Sequence, residues 1–345
     1  MMNELSPSTQ EAIGRLLGRV MEARERQDGV PFVVAHFVTA RCNCKCRSCL
    51  WKNNDTPDVP LEDLKSFYAQ ARDAGFVAAA LSGGAPFVRQ DLGELVRFMK
   101  EEAQMAILLF NTGWFLEQRM DEVAPFIDMM IVSVDSAVPS RHDEIRGLPG
   151  LFDRLVRGVK AMRERYPHVP LHLNTCVQKG IEPEIDGLIG LAEELGVKIS
   201  FDFITEARNA GDGSAFTSTD MGLSLPEVQA VAAHLLEKKR AGAPIVNTGL
   251  YFDYMARGRP GYHCHLPKVA MSLDARGNVE DCLALERPIG NIRETPLKEI
   301  MARQRFLELR RDAEGCSSCN SPTMVDCSHI WERPELLLSE GGLAF

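Results

Sequence analysis

Phe32-Val33-Val34-Ala35-His36-Phe37-Val38-Thr39-Ala40-Arg41-Cys42-Asn43-Cys44-Lys45-Cys46-Arg47-Ser48-Cys49 joins a short apolar run to three cysteines spaced C-x3-C-x2-C. The run from Phe32 to Phe37 has strand length and is too short for a convincing helix. The cysteines follow it directly, so three thiolates can face one small volume in a loop. Three protein thiolates suit an iron–sulfur cubane that keeps one iron open for an outside ligand. A zinc knuckle that recruits Cys44 as fourth thiolate is the alternative.

Outward from this stretch, apolar runs alternate with segments of helical period between Pro31 and Phe203, the pattern of βα units building a parallel sheet. Further strands are expected over Val77 to Leu81, Ala106 to Phe110, Met129 to Val134, Leu171 to Cys176 and Lys198 to Phe203. Leu92, Leu95, Val96 and Met99 share one helix face, as do Phe152, Leu155, Val156 and Val159, and Ile185, Leu188, Ile189 and Ala192. These stripes predict core packing. An amphipathic helix is expected over Ser8 to Arg26, and Ser224-Leu225-Pro226 opens another that runs to about Arg240. The Gly- and Ser-containing stretch Asn209 to Ser218 predicts a loop or boundary, after which the alternation stops.

Composition narrows the function. The 345 residues are 45% hydrophobic and 25% charged, with a formal charge of −9. That balance suits a globular protein and gives no basic footprint for nucleic acid. No apolar stretch is long enough to span a bilayer and Met1 to Gly29 is polar, which predicts a cytoplasmic protein without a membrane span. Ten cysteines in such a compartment point to metal ligation before disulfides.

A second group lies downstream: Cys264, twelve residues, Gly277, four residues, Cys282, then Cys316-Ser317-Ser318-Cys319 and, seven residues on, Cys327. Ser272 to Val279, turning at Asp274-Ala275-Arg276-Gly277-Asn278, predicts a β-hairpin that brings Cys264 and Cys282 together. The C-x-x-C pair then closes a four-thiolate site, for an iron–sulfur cluster or a zinc ribbon.

The first cysteine loop, at the end of the first strand of a βα series, resembles the radical S-adenosylmethionine superfamily over about Pro31 to Phe203. The resemblance implies a partial (β/α)6 TIM-like barrel. It also implies a 4Fe-4S cluster held by Cys42, Cys46 and Cys49, whose open iron binds S-adenosylmethionine. An electron then cleaves the cofactor to methionine and a 5′-deoxyadenosyl radical, which abstracts hydrogen from substrate. Cys44 lies outside the family pattern as a spare thiol. Ser48 stands where the family usually has an aromatic residue, which shifts adenine packing to Leu50 or Trp51.

Leu81-Ser82-Gly83-Gly84-Ala85-Pro86 is similar to the family's GGE-P segment, with Ala85 in place of Glu, and implies that Gly83 and Gly84 lie beside the cofactor's amino group. Val132-Ser133-Val134-Asp135-Ser136 and His142-Asp143-Glu144-Ile145-Arg146-Gly147 resemble the S-x-D and HD-x-x-RG runs. They imply Ser133 as a ribose or methionine contact and Arg146 as a partner for a carboxylate, with a surface cation as the plain alternative for Arg146. Asn174 matches a position that reaches the cofactor, and Asp135 is open to substrate. Asp202, Glu206 and Arg208 close the sixth strand as further candidates.

The second group resembles the SPASM extension of these enzymes in its shortened, single-cluster twitch form. It implies an auxiliary 4Fe-4S cluster on Cys264, Cys282, Cys316 and Cys319, with Cys327 as an alternative ligand. Pro288-Ile289-Gly290-Asn291-Ile292 and Leu297 to Ile300 resemble the extension's connector. A fully ligated cluster carries electrons rather than substrate, which suits an oxidation.

The expected organisation is a helical extension over 1–30, a radical core over 31–215, a helical connector over 216–260 and a small cysteine-rich auxiliary-cluster domain over 261–345. The expected activity is hydrogen abstraction from a small metabolite or natural-product precursor, fed by a low-potential donor such as flavodoxin or ferredoxin. The rivals are a maturase of ribosomally made peptides, disfavoured because no leader-binding domain precedes Pro31, and a non-catalytic zinc or iron–sulfur scaffold.

Overall fold

The computed structural model describes residues 7–26, 31–204, 207–209, 216–280, 282, 287–316 and 319–335. After helix α1 (Pro7–Arg26) come six strand–helix units: β1 (Val33–Thr39), α2 (Leu61–Asp73), β2 (Ala78–Gly83), α3 (Leu92–Glu101), β3 (Ala106–Asn111), α4 (Leu116–Val123), β4 (Met129–Ser133), α5 (Pro139–Arg146), α6 (Leu151–Arg165), β5 (Leu171–Val177), α7 (Ile185–Leu195) and β6 (Lys198–Phe203). The strands lie in the order β1-β2-β3-β4-β5-β6, all parallel. Each expected strand is present, displaced by at most two residues at an end.

Residues alternate across each strand, so register partners share a face. Val34, Leu81, Ile107, Leu109, Met130, Val132, Leu173, Ile199 and Phe201 join the helix stripes in one apolar core. The opposite, barrel-inner face pairs Ala35 with Ala80 and Phe110 with Ile131, then Ser133 with Asn174, Asn174 with Ser200 and Cys176 with Asp202. Apolar on the outside and polar toward β5 and β6 on the inside, the sheet leaves room for chemistry only within the barrel.

Beyond β6, the stretch Asn209 to Ser218 expected as a loop ends in a strand instead: β8 (Phe216–Ser218) pairs antiparallel with β7 (Ala207–Asn209). Helix α8 (Leu225–Arg240) opens as expected on Ser224, whose N–H donates to Glu227 Oε2 at 2.6 Å, the reciprocal arrangement of a capping box. Then follow α9 (Gly249–Ala256), α10 (Leu266–Val269), β9 (Ala270–Leu273), β10 (Asn278–Glu280), β11 (Pro288–Asn291), α11 (Leu297–Ala302), α12 (Gln304–Glu314) and α13 (Pro322–Glu332).

The expected hairpin is β9–β10, yet it does not stand apart. β9 pairs in parallel with β1, Val33 to Ala270 through His36 to Leu273, making one sheet of nine strands, β11-β10-β9-β1-β2-β3-β4-β5-β6. The strand that carries the first cysteine loop is therefore hydrogen-bonded to the strand that follows Cys264. A second apolar cluster seals this end: Leu16, Val20 and Ala23 of α1 pack with Phe32, Leu266, Val269, Met324, Cys327 and Ile330.

Candidate active site

The cysteine loop runs from the end of β1 to Val59, and side chains rather than secondary structure hold it. Arg89 is buried to 1% exposure and ties both ends together. Its Nη1 donates to Val38 O at 3.0 Å and to Val59 O at 3.1 Å, while Asp91 takes Nε and Nη2 at 2.8 Å each. Asp58 accepts from Thr39 Oγ1 at 2.6 Å and pairs with Arg41. The glycines of the second strand's end press on the same loop. A Cβ on Gly83 would lie 2.3 Å from Thr39 O, and one on Gly84 would lie 2.1 Å from Arg41 O. Gly83 also has φ +126°, which favours glycine. Their small size thus admits the cysteine loop itself, a close approach the sequence suggested only for a ligand.

Within the loop, buried Cys44 stands between the thiols of Cys42 and Cys46 and hydrogen-bonds to both. Donation from Cys44 brings Cys42 down to about 7 and Cys46 to about 6, against the opposing effect of burial, with Arg146 adding to the fall at both. Two of the three expected ligands are thereby held toward the thiolate form that binds iron. Cys49 is exposed at the loop's outer edge.

Arg146 is no surface cation. Its Nε lies 2.6 Å from Asp135 Oδ2, with the two side chains only 14% and 3% exposed, and the carboxylate it meets is this chain's own. Burial alone would lower its pKa, but Asp135 and the nearby thiols outweigh that and raise it. Asp135 Oδ1 also accepts Cys176 N–H at 3.0 Å, so Asp135 is engaged rather than open to substrate. The backbone of the same turn grips the loop: Lys45 N–H donates to Arg146 O at 2.8 Å, and a Cβ on Gly147 would sit 2.9 Å from Lys45 O. Asp143 accepts Phe152 N–H at 2.9 Å and so caps α6.

The enclosure leaves polar atoms wanting. Both ends of the Asn43 amide, Trp51 Nε1 and His142 Nε2 are shut from water without a hydrogen-bond partner, whereas such atoms ordinarily find one. Desolvation and Arg146 lower His142 to about 4, so its ring is neutral near pH 7. Thiolate-poised cysteines beside orphaned donors fit a cluster with a polar ligand. Among the described residues no three histidine, cysteine, aspartate or glutamate side chains are drawn together as a single-ion site.

Deeper in the barrel, Phe110, Ile131, His172, Asn174, Ser200 and Asp202 line a cleft closed on its far side by Asn247 and by Pro322 and Thr323 of α13. Asn174 Nδ2 donates to Ser200 Oγ at 2.8 Å. Burial pushes the Asp202 carboxyl up to about 7, which its hydrogen bond with Asn174 only partly offsets. Ser133 stands beside Asn174 on the same face. Glu206 lies outside the described residues, and Arg208 is described only as backbone of β7.

At the far end, Cys264, Cys282 and Cys319 pack against the apolar cluster that contains Cys327. Cys316 is exposed just beyond α12, its N–H donating to Ala313 O. Burial raises Cys319 to about 11 and pushes Cys327 higher still. Sequence reasoning missed Arg89, Asp58 and Asn43. A charged residue directly after Pro86-Phe87-Val88 was the available signal for Arg89.

A six-stranded parallel barrel face with a cysteine loop at its mouth and a second cysteine group at its far end fits an iron–sulfur enzyme of the βα class. Residues 264–320 match the family described as SPASM, an iron–sulfur cluster-binding domain. An AdoMet-dependent heme synthase of Methanosarcina barkeri is 28% identical over 82% of this chain and 86% of its own length. A pre-heme d1 synthase of Dinoroseobacter shibae is 26% identical over 78% of this chain and 72% of its own. In fold the chain is similar to Streptococcus suis SuiB bound to S-adenosylmethionine, with TM-score 0.68 at 16% identity over 85% of this chain and 71% of that one. It is also similar to anSMEcpe with bound AdoMet, with TM-score 0.60 at 14% identity over 90% and 99%. The chain is an enzyme similar over most of its length to radical S-adenosylmethionine enzymes, with a SPASM-type domain at residues 264–320, and its cofactors are S-adenosylmethionine and 4Fe-4S clusters.

Proposed function

We propose that Cys42, Cys46 and Cys49 hold the cluster that binds S-adenosylmethionine, and that the second cysteine group holds an auxiliary one. In this reading, 31–215 forms the radical core, 216–260 a connector and 261–345 the auxiliary domain, with 1–30 packed on it. Cluster and cofactor together supply a 5′-deoxyadenosyl radical that takes a hydrogen atom from substrate.

The observation that carries it is the poised pair Cys42 and Cys46, set by Cys44 and Arg146 in the loop that follows β1. The N–H groups of Gly84 and Ala85 are spent on Thr39 O and Arg41 O. Contacts from this segment to the cofactor therefore run through carbonyl oxygens, which suit its amino group. Ser133 and Asn174 offer a hydroxyl and an amide on the adjoining wall. Arg146, locked to Asp135, neutralises the thiolates and holds the loop rather than clamping a carboxylate with both arms.

Substrate is a small molecule in the cleft toward Asp202. Relatives named for heme and pre-heme d1 synthesis, at 28% and 26% identity, support this more than the fold likeness to SuiB, solved with its precursor peptide SuiA. Tetrapyrroles head the list to screen. Electrons come from a low-potential donor of flavodoxin or ferredoxin type.

Reconstituted anaerobically with iron and sulfide, then given dithionite and S-adenosylmethionine, the protein is expected to form 5′-deoxyadenosine slowly. Tetrapyrroles should raise the rate where short peptides do not. No 5′-deoxyadenosine from a filled protein overturns the proposal, and acceleration by peptides alone overturns the substrate class.

A further inference from the structure

The first cysteine loop also concentrates positive charge at the surface. From Arg41 to Asn54 the sequence holds Arg41, Lys45, Arg47 and Lys52 and no acid, in a chain with 48 acidic residues against 39 basic ones. Asp58 takes Arg41. The other three stand among the cysteines: Lys45 and Arg47 on either side of Cys46, and Lys52 three residues after Cys49. Lys45, Arg47 and Cys49 are exposed and Lys52 is half-buried. Among the described residues neither lysine has a carboxylate partner.

Arg47 shows how this surface takes a carboxylate. Its guanidinium pairs with Asp220, in the turn between β8 and α8, and the two side chains are 73% and 68% exposed. Lys179, just past β5, holds that turn in place: its N–H donates to Met221 O at 2.9 Å and its Nζ to Asp220 O at 2.9 Å. An ion pair this open adds little to stability and exchanges readily for another carboxylate. Lys45 is fastened through its main-chain N–H to Arg146 O, which leaves its ammonium group in solvent. On the buried side of the loop the charge is matched, Arg146 against Asp135.

We infer that Lys45, Arg47 and Lys52, beside the exposed Cys49, form the docking surface for the electron donor, a small acidic electron-transfer protein with carboxylates around its redox group. The inference rests on the reading that Cys42, Cys46 and Cys49 hold the cofactor-binding cluster, and it places that cluster's partner. One electron leaves the reduced donor and one enters that cluster, directly rather than through the second cysteine group. Charges on the rim of a small, transient interface act on the rate of encounter, and salt screens them over about 8 Å at physiological ionic strength. Asp220 competes with the donor for Arg47.

The test follows 5′-deoxyadenosine formation by the reconstituted full chain at rising concentrations of reduced flavodoxin, at low and at high salt, with dithionite as the small-molecule control. Changing Arg47 and Lys52 together to Gln should raise the half-saturating flavodoxin concentration about 3–10-fold at low salt, and the difference should close at high salt. Asp220→Asn, which frees Arg47, should lower it about twofold at low salt. The dithionite-driven rate should be the same in wild type and both variants.

An unchanged flavodoxin requirement in the double variant, or an Asp220→Asn form that fails to lower it, overturns the docking surface. So does the absence of any flavodoxin-driven rate in a protein that dithionite drives. A dithionite-driven rate that falls in step with the flavodoxin-driven one overturns it as well, since that marks a defect of the loop itself. No 5′-deoxyadenosine from the filled wild-type protein with dithionite fails the underlying reading, an outcome distinct from these.

Discussion

Cys44 and Asp202 show what single side chains contribute at the two ends of the site. Cys44 fell outside the expected pattern as a spare thiol, yet it is the donor that holds Cys42 and Cys46 toward thiolate. Asp202 has a carboxyl raised from 3.8 to about 7. Unfolded, it releases its proton near 4. Folded, it keeps the proton until about pH 7, so the folded state binds more protons across that window and stability falls as pH rises through it. The shift corresponds to a ceiling of about 4 kcal/mol, and nearer ~1–2 kcal/mol with the half-buried group facing an open cleft. Asp202→Asn should therefore melt higher than wild type at pH 8 and much the same at pH 4. Equal melting differences at both values would show that the carboxyl titrates normally. Ser133 and Asn174 were legible through the family resemblance and Asp202 through its place at the end of a strand; the Arg146 pairing with Asp135 was not, since it depends on how a turn folds back over β4.

At the scale of elements, the cysteine loop is a segment without regular structure, pinned by groups distant in sequence. Arg89 satisfies Val38 O and Val59 O, and its removal leaves those buried carbonyls and the partly exposed Asp91 without their partner. Arg89→Met should cost ~2–4 kcal/mol in urea unfolding and should empty the first cluster while the auxiliary cluster stays filled. Gly84→Ala drives a methyl group into Arg41 O and should give the same selective loss of iron. Retention of both clusters in either variant would show that the loop is set some other way. The strands and the Ser224 cap were readable because their signals are local: apolar runs of strand length, or a serine followed by an early-helix proline. The pairing of β9 with β1 was not, because a four-residue strand carries no sequence mark of which edge it will join.

Across the whole molecule, the nine-stranded sheet binds the two cysteine groups into one body. β1 launches the first loop and β9, hydrogen-bonded beside it, continues from the turn at Cys264. Helix α1, expected only as an extension, covers the second group through Leu16, Val20 and Ala23. None of the helices among the described residues is long and apolar enough to cross a membrane. The fold class and both cysteine groups were legible from spacing. Their attachment to a common sheet came only from long-range pairing. The central claim is that the first cluster has an open iron for S-adenosylmethionine. The most direct measurement is the paramagnetic resonance spectrum of the reduced protein, in a variant with Cys264, Cys282, Cys316, Cys319 and Cys327 changed to Ala, before and after adding S-adenosylmethionine. The account predicts a 4Fe-4S signal that shifts when the cofactor is added and is absent when Cys42, Cys46 or Cys49 is also replaced. A signal that the cofactor leaves unchanged, or a site that fills only with zinc, would contradict it.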